Sequence, residues 1–156
     1  MYKDVTITIN GEEYHEHIPV RMLLVDFIRD VAGLTGTHVG CTYEGVCGAC
    51  TIQVNGEAMK SCLMLAVQAD GHKVSTVEGL AQNGKLHPLQ EEFNEHHALQ
   101  CGYCTPGILM NAEEFLKENP SPSEDDIREA LIGNLCRCTG YVNIVAAIKS
   151  ASEKMG

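Results

Sequence analysis

The sequence lacks any apolar run of about 18 residues, the length a helix needs to cross a bilayer. Its opening, "MYKDVTITIN", alternates as a strand does and has no basic-then-apolar leader. The expected compartment is therefore the reducing cytoplasm, with no membrane span. Basic residues are also scarce, with 11 Lys and Arg against 21 Asp and Glu and a net charge of −10. Residues 1–79 carry 5 basic and 10 acidic side chains, and residues 80–156 carry 6 and 11. Neither half can present a basic face, which argues against nucleic acid as a partner. Histidines at metal-ligand spacing beside a cysteine are missing as well. His15, His17, His72, His87, His96 and His97 read as surface residues. His38 lies near a cysteine loop, but a Rieske-type centre needs two histidines on one iron.

Cysteine, by contrast, is plentiful. There are eight, in two groups of four: Cys41, Cys47, Cys50 and Cys62, then Cys101, Cys104, Cys136 and Cys138. In a reducing compartment such thiols hold metal or perform chemistry more often than they form disulfides. Each group falls in one half of the chain. A half of about 80 residues is near the size at which a core alone is marginal and a metal centre supplies stability.

The two halves read differently. "KDVTITINGEEYHEHI" is a hairpin turning at Asn10-Gly11, and "CTIQVNGEAMKSC" a second turning at Asn55-Gly56. Between them, "MLLVDFIRDVAGL" has helical spacing and a stop at Gly33, and a Gly- and Cys-rich loop follows. "HKVSTVEGL" reads as a last strand. This predicts an α+β unit over residues 1–79. Residues 80–156 predict four helices and no strand: "LHPLQEEFNEHHAL", "PGILMNAEEFLKEN", "SEDDIREALIGN" and "YVNIVAAIKSASEK". Pro106 suits a first helical turn, and Ser123 with Asp126 forms an N-cap pair. Such a segment implies a small four-helix bundle. "LQCGYCTPGILMNAEEFL" and "LCRCTGYVNIVAAI" share one order of Leu, Cys pair, Thr, Gly and apolar helix, as in an internal repeat.

The first cysteine group has three thiols on one loop and a distant fourth, unlike the paired knuckles of zinc sites. It resembles the plant-type [2Fe–2S] spacing, C-x4-C-x2-C with a remote cysteine, but five residues separate Cys41 from Cys47. The extra residue must bulge outward, or Cys41 is displaced. For the second group, C-x2-C and C-x-C, spacing alone leaves zinc open. Helices starting after Cys104 and Cys138 would favour a centre that gains negative charge. Arg137, between two of these thiols, could act likewise or be a surface residue.

"GVCGACT", "QCGYCTPG" and "GNLCRCTGY", in this order, resemble the iron–sulfur small subunit of the molybdenum hydroxylases, the xanthine oxidase family, of the carbon monoxide dehydrogenase type. The resemblance spans nearly the whole chain. It implies an N-terminal β-grasp, plant-type ferredoxin-like domain with a [2Fe–2S] cluster on Cys41, Cys47, Cys50 and Cys62. It also implies an all-α four-helix domain with a second cluster on Cys101, Cys104, Cys136 and Cys138. Gln100 and Cys138 match positions that face molybdopterin, in its cytosine dinucleotide form, in a large subunit. FAD would sit in a medium subunit, in a dimer of heterotrimers. No residue reads as a catalytic acid, base or nucleophile. The implied role is relaying single electrons from molybdopterin to FAD. A free two-cluster ferredoxin and a zinc-stabilised interaction module are the alternatives.

Overall fold

A computed structural model describes residues 1–155; Gly156, the last residue of the expected second unit, lies outside the described residues. Two Asn-Gly pairs build the sheet. Asn10, Gly11, Asn55 and Gly56 have φ of 52°, 88°, 52° and 92°, the left-handed pairs that type I′ turns require. Strand β1 (Tyr2–Ile9) folds back along β2 (Glu12–Pro19), and β3 (Thr51–Val54) along β4 (Glu57–Lys60). Strand β5 (Lys73–Ser75) pairs parallel with β1 and antiparallel with β3, giving the order β2-β1-β5-β3-β4. Alternation on β1 buries Val5, Ile7 and Ile9 on one face. Helix α1 (Leu24–Asp26) and the residues just after it pack Leu24, Phe27 and Ile28 into the same core. It continues as a wider π turn (Phe27–Val31), closed by the Ala32 N–H donating to the Phe27 carbonyl at 2.9 Å. The predicted stop at Gly33 is present, with φ +70°.

Four helices follow: α2 (Pro88–Glu95), α3 (Thr105–Glu118), α4 (Glu124–Ala130) and α5 (Val142–Met155). Their starts are chemically marked. Pro88 and Pro106 occupy first-turn positions, where a missing N–H costs nothing. Ser123 Oγ accepts the Asp126 N–H while Asp126 accepts the Ser123 N–H, a capping box. The apolar faces meet in a second core that includes Leu89, Phe93, Ile108, Ile127, Ile144 and Ile148. Helix α3 also lies against β3. The Gln53 side chain donates to the Met110 carbonyl (2.9 Å) and to Glu113 (2.6 Å), joining the two halves through buried polar atoms.

One histidine departs from the surface reading, because its ring has structural work. The His87 Nδ1 accepts the Leu89 N–H and caps α2. His38 is half-buried and stacks on Tyr103, with ring centroids 4.4 Å apart.

Glu92, buried on α2, pairs with Lys154 on α5 and with His96 at 3.3 Å. The Lys154 hydrogen bond, then one from Ser150, holds its carboxyl below the usual carboxylate range. A lowered folded-state pKa means the stabilisation is complete above the unfolded-state value and is lost as pH falls through the folded one. Glu92→Gln is expected to destabilise the chain at neutral pH. Its denaturation midpoint should converge on that of the parent below the carboxylate range.

Candidate metal centres

The first cysteine loop holds its thiols by backbone geometry. Thr42 and Tyr43 are both left-handed, with φ of 52° and 68°, and Gly45 follows at +73°. All but Gly45 of this group are exposed, so the extra residue loops outward into solvent. Cys41 hydrogen bonds to Cys47. The Cys47 backbone N–H, aided by those of Val46 and Glu44, pulls the Cys41 thiol down to about 7 against the opposing effect of burial. Cys50 and Cys62 are buried and in hydrogen-bond contact. Burial, then Cys50, pushes the Cys62 thiol up to about 12. Cys41 lies near enough to Cys62 to raise it further.

The second set comes from two segments. Cys138 and Cys101 sulfurs lie 3.5 Å apart and are exposed, whereas Cys104 and Cys136 form an inner pair. Burial and then Cys136 push the Cys104 thiol up to about 12. Burial also pushes at Cys136, but hydrogen bonds from the Thr139 hydroxyl and backbone outweigh it and leave that thiol low. The sulfurs thus fall into four pairs, and the pairs into two sets of two. Cys101 acts on Cys104, and Cys136 on Cys138.

Pairing of this kind suits a two-iron core, which takes two thiolates on each iron. Among the described residues no three His, Cys, Asp or Glu side chains converge tightly enough for one metal ion. The Ala49 N–H points at Cys47 Sγ (3.5 Å), and the Thr139 hydroxyl lies 3.1 Å from Cys136 Sγ. Thr105 Oγ1, in the turn that carries Cys104, is buried and without a partner among the described residues. Sulfur-directed donors and one orphaned hydroxyl are what an anionic cluster would satisfy, so the residues present fit the group.

A seam joins the two sites. The Leu135 N–H donates to the Cys47 carbonyl (2.8 Å), and the Asn134 side chain to the Gly48 carbonyl (3.1 Å). A Cβ on Gly48 would overlap the Gly133 carbonyl oxygen, and one on Gly107 would overlap that of Gly48. Beside the seam, His38 donates from Nδ1 to the Tyr103 carbonyl (2.8 Å), and the Tyr103 hydroxyl to that of Val39 (2.8 Å). Sequence reasoning missed Asn134, Gly107 and Tyr103 as seam residues. They sit inside or beside the cysteine motifs, and nothing in spacing shows which distant segment they meet. The Gln100 amide donates to the Cys138 carbonyl (3.1 Å), so these two predicted residues do share the exposed edge.

A model of the "2Fe-2S iron-sulfur cluster binding domain" matches residues 7–81, and a "[2Fe-2S] binding domain" model matches residues 76–149. Caffeine dehydrogenase subunit gamma from Pseudomonas sp. (strain CBB1) is 55% identical over 151 residues, covering 95% of this chain and 90% of its own. The chain belongs to the small iron–sulfur subunits of the molybdenum hydroxylases. The nicotine 6-hydroxylase small subunit of Paenarthrobacter nicotinovorans is 50% identical over 153 residues, 98% of this chain and 92% of that one. The solved structure of quinoline 2-oxidoreductase from Pseudomonas putida 86 superposes with a TM-score of 0.93. It is 52% identical and covers 97% of this chain and 94% of the solved one. As a member of this family the chain is an iron–sulfur electron-transfer subunit of a molybdenum-containing oxidoreductase. This membership favours neither a free ferredoxin nor a zinc module. No helix among the described residues is long and apolar enough to cross a membrane.

Proposed function

We propose that Cys41, Cys47, Cys50 and Cys62 hold one [2Fe–2S] cluster and Cys101, Cys104, Cys136 and Cys138 a second. The observation that carries this is the sorting of eight sulfurs into two sets of paired thiols. Each cluster, when bound, takes up and gives away one electron at a time. The chain divides between residues 79 and 80 into a β-grasp unit and a four-helix bundle. The strand order with parallel β1 and β5, and the two separate cores, support that division.

What the chain itself contributes is position. Leu135 and Asn134, gripping the Cys47–Gly48 backbone, hold the two ligand sets at one separation. Gln100 orients the Cys138 backbone at the exposed edge, which faces molybdopterin, in its cytosine dinucleotide form, in a large subunit. The other set faces FAD in a medium subunit, the whole forming a cytoplasmic dimer of heterotrimers. Apolar side chains exposed beside both sets support burial under partners. They include Val46 and Leu63 near the first, and Leu99 and Leu135 near the second. Ile108, Leu109 and Met110 lie in the core, whereas Leu63 is 63% exposed. Caffeine, nicotine and quinoline in the relatives' names support an N-heterocycle as the large subunit's substrate.

Loaded protein is expected to contain about four irons and four acid-labile sulfides per chain and two distinct one-electron paramagnetic signals after reduction. Full zinc occupancy without iron would overturn the assignment.

A further inference from the structure

Thr105 and Thr139 occupy matching places in the two cysteine segments of the helical half. Each directly follows its segment's second cysteine, Cys104 or Cys138. Thr139 Oγ1 lies 3.1 Å from Cys136 Sγ and accepts the Tyr141 N–H at 3.2 Å. A thiolate ligand has no proton to give. With a backbone N–H already held on its acceptor side, the hydroxyl is left to donate to the sulfur.

The geometry of this contact is fixed from both ends. The Tyr141 hydroxyl accepts the Cys136 N–H (2.7 Å) and donates to the Asn134 carbonyl (3.1 Å), clamping the cysteine's backbone. Tyr141 reaches this position through a left-handed backbone, with φ +68°. In the other segment the Thr105 hydroxyl is buried and unpaired among the described residues. Leaving such a group unsatisfied is costly, so it is a donor in want of an acceptor.

We propose that the Thr139 hydroxyl tunes the reduction potential of the cluster held by Cys101, Cys104, Cys136 and Cys138, and that the Thr105 hydroxyl gives the same cluster a second sulfur-directed donor. This rests on the ligand assignment above. Reduction adds one electron, and the extra negative charge spreads onto the sulfurs. A hydrogen bond to sulfur is therefore stronger in the reduced state and favours it. Both threonines are positioning residues, acting through the ligands.

The test is a redox titration of the loaded full-length chain, followed by paramagnetic resonance, in Thr139→Val, Thr139→Ser and Thr105→Val. Thr139→Val should make reduction of this cluster less favourable by about tenfold, about 59 mV for one electron, while the other cluster is unchanged. Thr139→Ser should restore the parent value, and Thr105→Val should shift the potential in the same direction as Thr139→Val. A second measurement needs no variant to load. The unsubstituted protein exchanged into heavy water should show a deuteron strongly coupled to this cluster. If that coupling is absent, or Thr139→Val carries both clusters at an unchanged potential, the inference fails with the ligand assignment intact. If the unsubstituted chain holds no iron clusters at all, it is the ligand assignment that fails.

Discussion

Replacing Gly107 by alanine is expected to destabilise the chain by about 3 kcal/mol, the upper range for forcing extra atoms into a packed interior. Local propensity argues the other way, since alanine in place of glycine within a helix is worth about 1 kcal/mol of stabilisation. Gly107 lies in the first turn of α3 at ordinary helical φ, so no left-handed backbone opposes the change. Only the tertiary contact does. The new Cβ would overlap the Gly48 carbonyl oxygen and crowd the Ala49 backbone. Neither obstacle is a flexible side-chain end that can swing aside. The same carbonyl also accepts the Asn134 amide, so displacing it loosens the seam on both sides. Urea denaturation should show a lower midpoint with an unchanged slope. A gain in stability would mean that the seam is looser than its geometry. Gly48→Ala should be at least as damaging, because it adds a left-handed φ of +71° to overlap with the Gly133 carbonyl.

The second large effect separates the two ligand sets. Cys41→Ser and Cys101→Ser alter one half-buried and one exposed thiol, so packing is little disturbed. Each is expected to abolish one paramagnetic signal and about half of the iron while the other signal persists, since each cluster needs four thiolates. Cys41 is the sharper case, because the extra residue in its loop could have displaced it. The outward loop of Thr42 and Tyr43 is the reason to expect that it binds. Loss of both signals from either variant, or of neither, would show that the sets share ligands or that Cys41 stands apart.

The Asn-Gly turns, the first-turn prolines and the Ser123 cap were legible because each is decided within a few residues of backbone. The hydrophobic period located all four later helices and the first helix, but not the widening of that helix at Phe27–Val31. There the closure one residue longer than α depends on how Phe27 and Ile28 enter the sheet core. The extra residue between Cys41 and Cys47 was legible as a departure, while its direction was not. His87 read as surface, and only the fold revealed its ring as the cap of α2.

By itself, then, the chain's order of residues determined the turns, the helix starts, the acidic character and the two groups of cysteines, with the spacing that marks an iron–sulfur family. Those properties are carried by neighbours along the backbone and by the chemistry of thiols. Tertiary structure alone decided that β5 runs parallel to β1, that the sulfurs pair two by two, and that Gly48 meets Asn134 from 86 positions away. Contacts over such separations arise only when both cores have formed, since the burial of apolar faces, and no local preference, brings those segments together.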